Sequence, residues 1–544
     1  MSIGKSRNDR ELEDRSPSIE VRAIKADDLA AHLEGDGEIA VLDVRELGAI
    51  ATSGTLLLAA PVPFAALEDR IDEFVPRFGT PIVLIDSTGG RLARDAYMLL
   101  TELGYLDVAV LVGGTDEWRA LGRQLYTSVM AFGQAFGEFL HDHADTPRIT
   151  AAEYADLVAA GADVLLLDSR PDAEFNDHSI PGALCAPGAE LVHRGIDLIQ
   201  SDETIVVVNC AGRTRGILGA QAFVDAGVLN KVVTLENGTM AWSFTGRDVV
   251  HGRSSSAPTP SDRTRHTRTV AAASLIDRFG LKRSNEVPDS NDVDRTDYIF
   301  DVRTYEEFAA GHVAGSRWAP SWDLVPFVFR YAATLRARIT LVDDAAGLRA
   351  ALTGAWFTRL GWKDVTVISV EAVEAVEAST SIGPAVEHGE VDRSGSTITA
   401  QQLRDSAEGV VVIDLAASDE YSAAHVPGAV FATWTTVLTE PELLPDSQTL
   451  VLTTPDGRAA RFVAARLRES LGREVVELEG GTAGWLEQVG TSEAGLRRVV
   501  GPVDDRAPGP WEAGVDHAAF RDYLHWEREL VGQMELDSTT PYSA

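Results

Sequence analysis

Short apolar runs, each ended by an aspartate, return four times along this chain of 544 residues. The runs AVLD, LLLD, YIFD and VVID end at Asp43, Asp168, Asp301 and Asp414. A second apolar run follows in each repeat (PIVLID, IVVVNC, ITLVDD and TLVLTT), and then a helix-like segment and a further apolar run. Runs this short and this apolar indicate strands buried on both faces. We therefore predict an α/β fold in which each repeat is a small parallel sheet with helices on both faces.

Other shared motifs define the extent of the repeats. EFNDHSIPGAL, EFAAGHVAGSR and EYSAAHVPGAV share an acid–aromatic pair, a histidine and a glycine followed by a small residue, and three repeats close with GGTDEW, ENGTMAW and EGGTAGW. The first repeat lacks the histidine, and the third has VISVEAVEA at its close. The predicted units are domains at 1–128, 129–252, 253–385 and 386–497 and a C-terminal helical tail at 498–544.

Three connecting segments complete this organisation. The Ser- and Pro-rich stretch 251–267 is expected to link the second and third domains, and 378–397 is a weaker boundary. AFGQAFGEFLHDH is predicted to form an amphipathic helix that bridges the first two domains. In the tail, Phe520, Leu524 and Leu530 have helical spacing, so this helix is expected to pack back on the body.

The composition of the chain limits its possible binding partners and the cellular compartment in which it is expected. A net charge of −35 argues against general nucleic-acid binding, because most of the surface would repel phosphate. The sequence contains no apolar run long enough to span a membrane and no apolar segment typical of a secretory signal near its start. Two cysteines cannot form a disulfide framework. We therefore expect a cytoplasmic protein without nucleic-acid or membrane partners.

Cys210 lies in IVVVNCAGRTRG, at the predicted end of a strand and the start of a helix. Backbone N–H groups and the helix dipole at such a turn stabilise negative charge, and Arg213 and Arg215 add positive charge. We expect these effects to lower the thiol pKa and activate the thiolate. Gly212 permits an unusual backbone conformation, and the Thr214 hydroxyl can donate to sulfur. Buried cysteines at strand ends are commonly inert, but the basic turn favours a reactive thiol.

The other repeats lack this cysteine. Counting back from the closing tryptophans places Asp86 and Thr453 at the equivalent position, and the apparent strand register places Asp344 there in the third repeat. Five residues beyond each position stands an arginine, namely Arg91, Arg215, Arg349 and Arg458. Because this arginine recurs, Arg215 is expected to be largely structural. Arg213 does not recur, so it is predicted to recognise the substrate, with folding nearly unaffected by its removal.

Several recurring residues are interpreted as structural. Asp168 with Arg170, and likewise His178, have counterparts in repeats without the cysteine, which favours a role in the scaffold. Cys185 is either a plain buried cysteine, the favoured interpretation, or a resolving thiol. The sequence has no metal-site spacing and no phosphate-loop lysine motif, so neither a metal nor a cofactor is expected.

Taken together, the D-x-R strand end, the E-F…H-x-P-G-A segment, the C-x-G-R-x-R loop and the G-G-x-x-x-W close resemble a tandem array of rhodanese domains over about residues 20–495. The chain is similar to four-domain bacterial rhodanese-related thiosulfate sulfurtransferases. The resemblance implies that Cys210 carries sulfur and that a loop of Ala211, Gly212, Arg213, Thr214 and Arg215 binds the substrate. It also implies that Arg194 faces the substrate, although a solvated surface arginine is an equal alternative, and that the other three repeats are silent.

These observations predict a sulfurtransferase. A sulfane sulfur would move from thiosulfate, or a similar small anionic donor, through a Cys210 persulfide to cyanide, glutathione or another thiol. One alternative is a binding scaffold or persulfide relay without multiple turnover. A phosphatase or arsenate reductase is disfavoured, because related phosphatases resemble this loop but have one more residue in it. The oligomeric state stays open, including a homo-oligomer.

Overall fold

A computed structural model describes residues 21–288, 294–373, 376–377, 396–406, 409–457, 461–512 and 514–543. The polar start of the chain, nearly all of the predicted boundary at 378–397 and Arg458 lie outside the described residues. Within them, the chain forms four mainly parallel sheets with flanking helices, which confirms the predicted α/β class.

The first repeat contains strands β1 (Ala23–Ile24), β2 (Ile39–Asp43), β3 (Ala60–Pro61), β4 (Ile82–Ile85) and β5 (Val108–Leu111), and helices α1 (Ala26–Glu34), α2 (Leu47–Ser53), α3 (Phe64–Phe74), α4 (Arg91–Glu102) and α5 (Gly114–Ala120). Helix α6 (Ala131–His143) follows as the predicted bridge to the second repeat. All residues of β2 and β4 are buried, as expected for central parallel strands.

The second repeat contains strands β6 (Arg148–Ile149), β7 (Val164–Asp168), β8 (Leu184–Cys185), β9 (Ile205–Asn209) and β10 (Val232–Leu235), and helices α7 (Ala151–Ala159), α8 (Asp172–Asp177), α9 (Glu190–Leu198), α10 (Thr214–Asp225) and α11 (Gly238–Phe244). A reciprocal capping box between Thr150 and Glu153 fixes the start of α7. The sheet order is β6-β10-β9-β7-β8, so β9 is the central strand.

The third repeat contains helices α12 (Arg265–Phe279), α13 (Tyr305–Ala310), α14 (Ser321–Leu324) and α15 (Leu348–Arg359), and strands β11 (Lys282–Ser284), β12 (Asp297–Asp301), β13 (His312–Val313), β14 (Arg317–Trp318), β15 (Thr334–Leu335), β16 (Arg338–Asp343), β17 (Val365–Ser369) and β18 (Val376–Glu377). Its main sheet has the order β11-β17-β16-β12-β14. Strand β15 instead pairs antiparallel with β2, so a segment of the third repeat extends the first sheet.

The fourth repeat contains strands β19 (Thr397–Ile398), β20 (Val410–Asp414), β21 (Val430–Ala432), β22 (Thr449–Thr453), β23 (Glu474–Leu478) and β24 (Val499–Val500), and helices α16 (Ala400–Asp405), α17 (Ser418–Ala423), α18 (Trp434–Thr439), α19 (Arg461–Leu471) and α20 (Gly481–Gln488). Short 3-10 helices occur at Asp262–Thr264, Val328–Arg330, Val370–Ala372 and Pro441–Leu443. Strand β24 pairs with β21, although it follows the predicted end of this domain at 497.

The tail forms one long helix, α21 (His517–Glu535), as its periodicity predicts. Phe520, Leu524 and Leu530 are buried, and the helix packs against α6 and α11 of the body. No helix within the described ranges has the length and apolar character needed to cross a membrane. The structure thus places both α6 and α21 close to the second repeat, whose central strand leads to Cys210.

Candidate active site

Cys210 lies at the carboxyl end of the central strand β9, and α10 begins after the turn formed by the following residues. Branched apolar side chains of β9 are buried between the helical layers, so the chain must turn where the polar segment begins. The carboxyl edge of a parallel sheet is where α/β proteins commonly bind their ligands. The Cys210 side chain points into the protein, and the residue is only 3% exposed.

The recurring glycine of the closing motif holds this turn in place. Thr239 donates its backbone N–H to the Cys210 carbonyl, and a methyl group on Gly238 would lie 2.1 Å from that oxygen. Gly238 also has a φ of +52°, which disfavours other residues. Gly114 and Gly481 approach the carbonyls of Asp86 and Thr454 in the same way. The motif therefore marks the structural equivalents of Cys210.

This geometry corrects two of the predicted equivalences. Asp86 is confirmed by its contact, but Thr454 and not Thr453 has the position of Cys210 in the fourth repeat. In the third repeat Asp301 pairs with Val342, as Asp168 pairs with Asn209, so the equivalent residue is Asp343 and not Asp344. In the fourth repeat the count from the tryptophan fails because the segment between the turn and the closing motif is one residue shorter, and in the third repeat the apparent strand register is off by one residue.

In the first and third repeats, a carboxylate fills the turn. Asp86 Oδ1 accepts hydrogen bonds from the backbone N–H groups of Thr88, Gly89 and Gly90 at 2.9, 2.6 and 3.1 Å. Asp343 Oδ2 accepts from the backbone of Ala350 at 3.0 Å. In both turns backbone N–H groups therefore donate to a carboxylate, as expected at a strand-to-helix junction, but the carboxylate is the turn's own side chain.

Arg215 forms the ion pair that recurs between repeats. Its guanidinium binds Glu174 with nitrogen–oxygen distances of 2.7 and 2.8 Å, and Arg349 binds the equivalent Glu307 in the third repeat. Arg91, in contrast, pairs with Asp95 within its own helix, so the arginine of the first repeat does not form this ion pair. The positive charge of Arg215 favours the ionised form of the Cys210 thiol. A scaffold role and an electrostatic role thus coincide in Arg215.

Arg213 has a different position from the one expected. Its guanidinium forms a bidentate ion pair with Glu138 of α6, with both nitrogen–oxygen distances at 2.6 Å, and it also donates to Asn237 at 3.1 Å. Both charged side chains are almost fully buried. Direct donor recognition by Arg213 stays a prediction, and the buried ion pair argues against the expectation that folding hardly depends on this residue.

Removal of Arg213 is therefore expected to destabilise the second repeat. Arg213→Ala leaves the Glu138 carboxylate buried without its partner, which typically costs about 3–5 kcal/mol. The melting temperature of the full chain, followed by circular dichroism, measures this loss. Arg528→Ala is the matched control, because Arg528 also donates to Asn237 but is exposed. Equal melting temperatures for the two variants would contradict the structural role of the Arg213–Glu138 pair.

The bridging helix α6 and the tail helix α21 cover the turn. On one side, a methyl group on Gly137 of α6 would lie 2.9 Å from Thr214 Cγ2. On the other side, α21 places Glu527 where its Oε1 accepts a 2.7 Å hydrogen bond from the Thr214 hydroxyl, and Tyr523 lies against Gly212. Sequence reasoning missed Glu138 and Glu527. The apolar spacing of both helices predicted their packing, but not which surface they would contact.

Covering the turn changes the chemistry of its thiol. Burial raises the pKa of Cys210 to about 11, against the opposing effects of Arg215 and a hydrogen bond from the Gly216 backbone N–H. While the turn is covered, burial therefore outweighs the effects that were expected to lower the pKa of Cys210. The pKa falls towards the expected range only if the site becomes more exposed.

The predicted scaffold residues form buried contacts beneath the turn. The Arg170 guanidinium is fully buried and binds Asp168 at 3.0 and 2.8 Å, and corresponding pairs occur in the first and third repeats. His178 lies against Arg170 and stacks on Trp511, 3.8 Å between ring centroids. Cys185 is fully buried and donates to the Arg170 carbonyl at 3.3 Å, and burial raises its pKa.

Arg194 lies on α9, on the side that meets the third repeat. It binds Glu190 and donates to the Ala257 carbonyl at 2.7 Å. Glu190 in turn binds Arg349 of the third repeat at 2.8 Å. These contacts place Arg194 in a junction between repeats and not with the residues that surround Cys210, so they favour the alternative to substrate binding.

A cysteine at the end of a central parallel strand, followed by a turn and a helix start, is an arrangement suited to nucleophilic thiol chemistry in α/β enzymes. The sequence profile of the Rhodanese-like domain matches residues 25–121, 150–245 and 399–488, more than half of the chain. The protein therefore belongs to the rhodanese-like family, as its motifs predict.

Solved structures extend this relationship to the whole chain. The crystal structure of a thiosulfate sulfurtransferase from Pseudomonas aeruginosa is 36% identical, with a TM-score of 0.86, and the match covers 96% of this chain and 100% of that one. The present protein is thus a homologue of a thiosulfate sulfurtransferase. No curated protein sequence gives a significant match.

Two smaller structures match only part of the chain. A rhodanese-related protein from Thermoplasma volcanium is 18% identical, with a TM-score of 0.17, over 19% of this chain and 99% of that one. A rhodanese-like domain protein from Staphylococcus aureus is 24% identical, with a TM-score of 0.16, over 18% and 90% of the respective chains.

Proposed function

We propose that the protein transfers a sulfane sulfur from thiosulfate, or a similar anionic donor, to cyanide, glutathione or another thiol. One observation carries the proposal: Cys210 occupies the strand-to-helix turn in a chain that is homologous to a thiosulfate sulfurtransferase along nearly its whole length. Small-molecule sulfur compounds are accordingly the expected substrates.

The chemistry proceeds in two covalent steps. The Cys210 thiolate attacks the outer sulfur of thiosulfate, a sulfur–sulfur bond forms, and sulfite leaves with the electron pair of the broken bond. The acceptor then attacks the outer sulfur of the persulfide, and Cys210 leaves as a thiolate. Arg215 and the Gly216 N–H stabilise the anionic sulfur in both steps. Such a sequence gives ping-pong kinetics.

Each residue of the proposed binding loop has a separate role. Gly212 and Ala211 provide the backbone of the turn, and Thr214 offers a hydroxyl and the first helical N–H group. Arg213 fixes the turn to α6 through Glu138. The first and third repeats have a carboxylate at the position of the nucleophile, and the fourth has Thr454, so a single sulfur per chain is proposed.

A binding scaffold or persulfide relay is the second candidate, because three of the four turns lack the cysteine. The two functions differ in turnover. With excess thiosulfate and cyanide, a sulfurtransferase is expected to release many sulfite molecules per chain, measured by a continuous sulfite assay. Release that stops at one sulfite per chain would favour the relay, and no release would favour the binding scaffold and contradict the sulfurtransferase.

A further inference from the structure

Helix α21 lies directly over the catalytic turn. A methyl group on Gly212 would lie 3.4 Å from Tyr523 Cε1 and 3.8 Å from Glu527 Oε2. Tyr523 is itself held by a 2.9 Å hydrogen bond from Gln134 of α6 to its hydroxyl. Since Cys210 is 3% exposed beneath this cover, a donor reaches the sulfur only if part of the cover is displaced.

Glu527 is the one acidic residue of α21 that is completely buried among the described residues. Its Oε1 accepts the 2.7 Å hydrogen bond from the Thr214 hydroxyl, and the Thr214 backbone N–H also stabilises the carboxylate. Its Oε2 is buried and has no hydrogen-bond partner within the described part of the chain. A carboxylate oxygen in this situation is costly, so a functional explanation is warranted.

The other turns suggest what this carboxylate does. In the first and third repeats, Asp86 and Asp343 fill the anion-stabilising turn with their own side chains. The second repeat has an uncharged thiol there, and a carboxylate from a distant helix accepts a hydrogen bond from the hydroxyl of Thr214, the first residue of α10, instead. Three turns thus contain a carboxylate, but only in the catalytic repeat can it be withdrawn without unfolding the turn.

We propose that the Glu527 carboxylate occupies the place of the donor's anionic group in the resting enzyme, and that an anionic sulfur donor must displace it to reach Cys210. This inference rests on the proposed sulfurtransferase function. It makes Glu527 a residue that sets donor affinity and favours donors with a compact, doubly charged oxyanion, because such a group can replace the carboxylate at the Thr214 hydroxyl.

The displacement is an exchange of hydrogen bonds without covalent change at Glu527. A sulfonate oxygen of thiosulfate would accept from the Thr214 hydroxyl, which now donates to the carboxylate. Two anions cannot share this hydroxyl, since like charges at this distance repel strongly in a buried site. Donor binding and the contact between Glu527 and Thr214 therefore exclude each other.

The charge of Glu527 responds to pH in the neutral range. Burial, together with the nearby Glu138 carboxylate, raises the pKa of Glu527 to about 7, while Thr214 and Arg213 oppose the increase. Cys210 and Tyr523 are the other ionisable groups near this carboxylate, and both have raised pKa values. Above about pH 7 the Glu527 side chain, which competes with the donor, is therefore an anion, and below that pH it is a neutral acid.

Steady-state kinetics with thiosulfate test the inference. Glu527→Gln keeps the shape but removes the charge, so KM for thiosulfate is expected to fall about tenfold with a smaller change in kcat, as for loss of one charge-assisted contact. Glu529→Gln, on the exposed side of the same helix, is the matched control and should leave KM unchanged.

The wild-type protein supplies a second readout that needs no variant. Its KM for thiosulfate is expected to rise as the pH rises through about 7, where Glu527 ionises, and the rise should be absent in Glu527→Gln. Two results would overturn the inference, provided that both proteins are active. One is an equal KM for thiosulfate in the wild type and Glu527→Gln, and the other is a wild-type KM that does not change across this pH range.

Binding without turnover separates the two proposals. Calorimetry measures thiosulfate affinity in Cys210→Ser and in Cys210→Ser combined with Glu527→Gln. Tighter binding by the double variant supports the displacement even if the wild-type protein fails to turn over, in which case only the sulfurtransferase proposal fails. If the two variants bind thiosulfate with equal affinity while the wild-type protein turns over, the displacement is overturned and the proposed function stands.

Discussion

Cys210→Ser is expected to reduce sulfite release from thiosulfate to the level of the uncatalysed reaction. Serine has nearly the same shape, but an alcohol cannot accept a sulfane sulfur and return it to an acceptor. The substitution leaves the buried turn and the Arg215–Glu174 pair in place, so the fold should be retained. The assay is sulfite production at saturating thiosulfate and cyanide, with the melting temperature as the measure of folding.

Cys185→Ser is the matched control for this experiment. Cys185 is equally buried, but its sulfur donates to the Arg170 carbonyl at 3.3 Å, a bond that a serine hydroxyl can replace. Most of the activity is therefore expected to survive. Equal loss in the two variants would place Cys185 in the chemistry, and full activity in Cys210→Ser would remove the assigned nucleophile.

Arg349→Ala is expected to cause the largest loss of stability, although it lies in a silent repeat. The Arg349 side chain is 1% exposed and binds Asp343, Glu190 and Glu307 at 2.8, 2.8 and 2.7 Å. Glu190 comes from the second repeat, so the arginine joins two repeats. Its removal leaves the fully buried Asp343 carboxylate without this cation and Glu190 with Arg194 as its remaining partner, which should cost about 3–5 kcal/mol.

The melting temperature of the full chain measures this effect. A loss of that size lowers the melting temperature of a domain-sized unit by roughly 10 °C. Arg265→Ala serves as the control, because Arg265 is largely exposed and pairs only with the neighbouring Asp262, a contact of small value. An Arg349→Ala protein that melts with the wild type would show that this network does not hold the repeats together.

The sequence predicted the four repeats and their strands well, for a physical reason. Buried parallel strands require uninterrupted apolar runs, and the closing motif requires a glycine because Gly238 packs on the Cys210 carbonyl. Both requirements are local, so they are visible as patterns. The position of Cys210 at a strand end followed from the same reasoning.

The register of the silent turns was harder to predict. One residue fewer in a connection shifts the count from the tryptophan to Thr453 in place of Thr454, and the apolar run of the third repeat does not by itself distinguish Asp344 from Asp343. Hydrogen bonds in the strand pairing decide the register, and they are not visible in a list of residue types.

The covering of the catalytic turn could not be predicted, because it depends on contacts between distant parts of the chain. Glu138 and Glu527 are, respectively, 75 and 313 residues from their partners Arg213 and Thr214. An acidic residue on a predicted amphipathic helix is usually solvated, and nothing in the local sequence distinguishes these two. For the same reason, the sequence did not indicate that Arg213 is bound to Glu138 while Arg215 acts on the thiol.

Intact mass spectrometry of the full chain after incubation with thiosulfate, without an acceptor, tests the central claim most directly. The account predicts a gain equal to one sulfur atom, located by peptide mapping on Cys210, and its loss when cyanide is added. No gain in mass, or a sulfur located on Cys185 in place of Cys210, would contradict the assignment of Cys210 as the sulfur-carrying nucleophile.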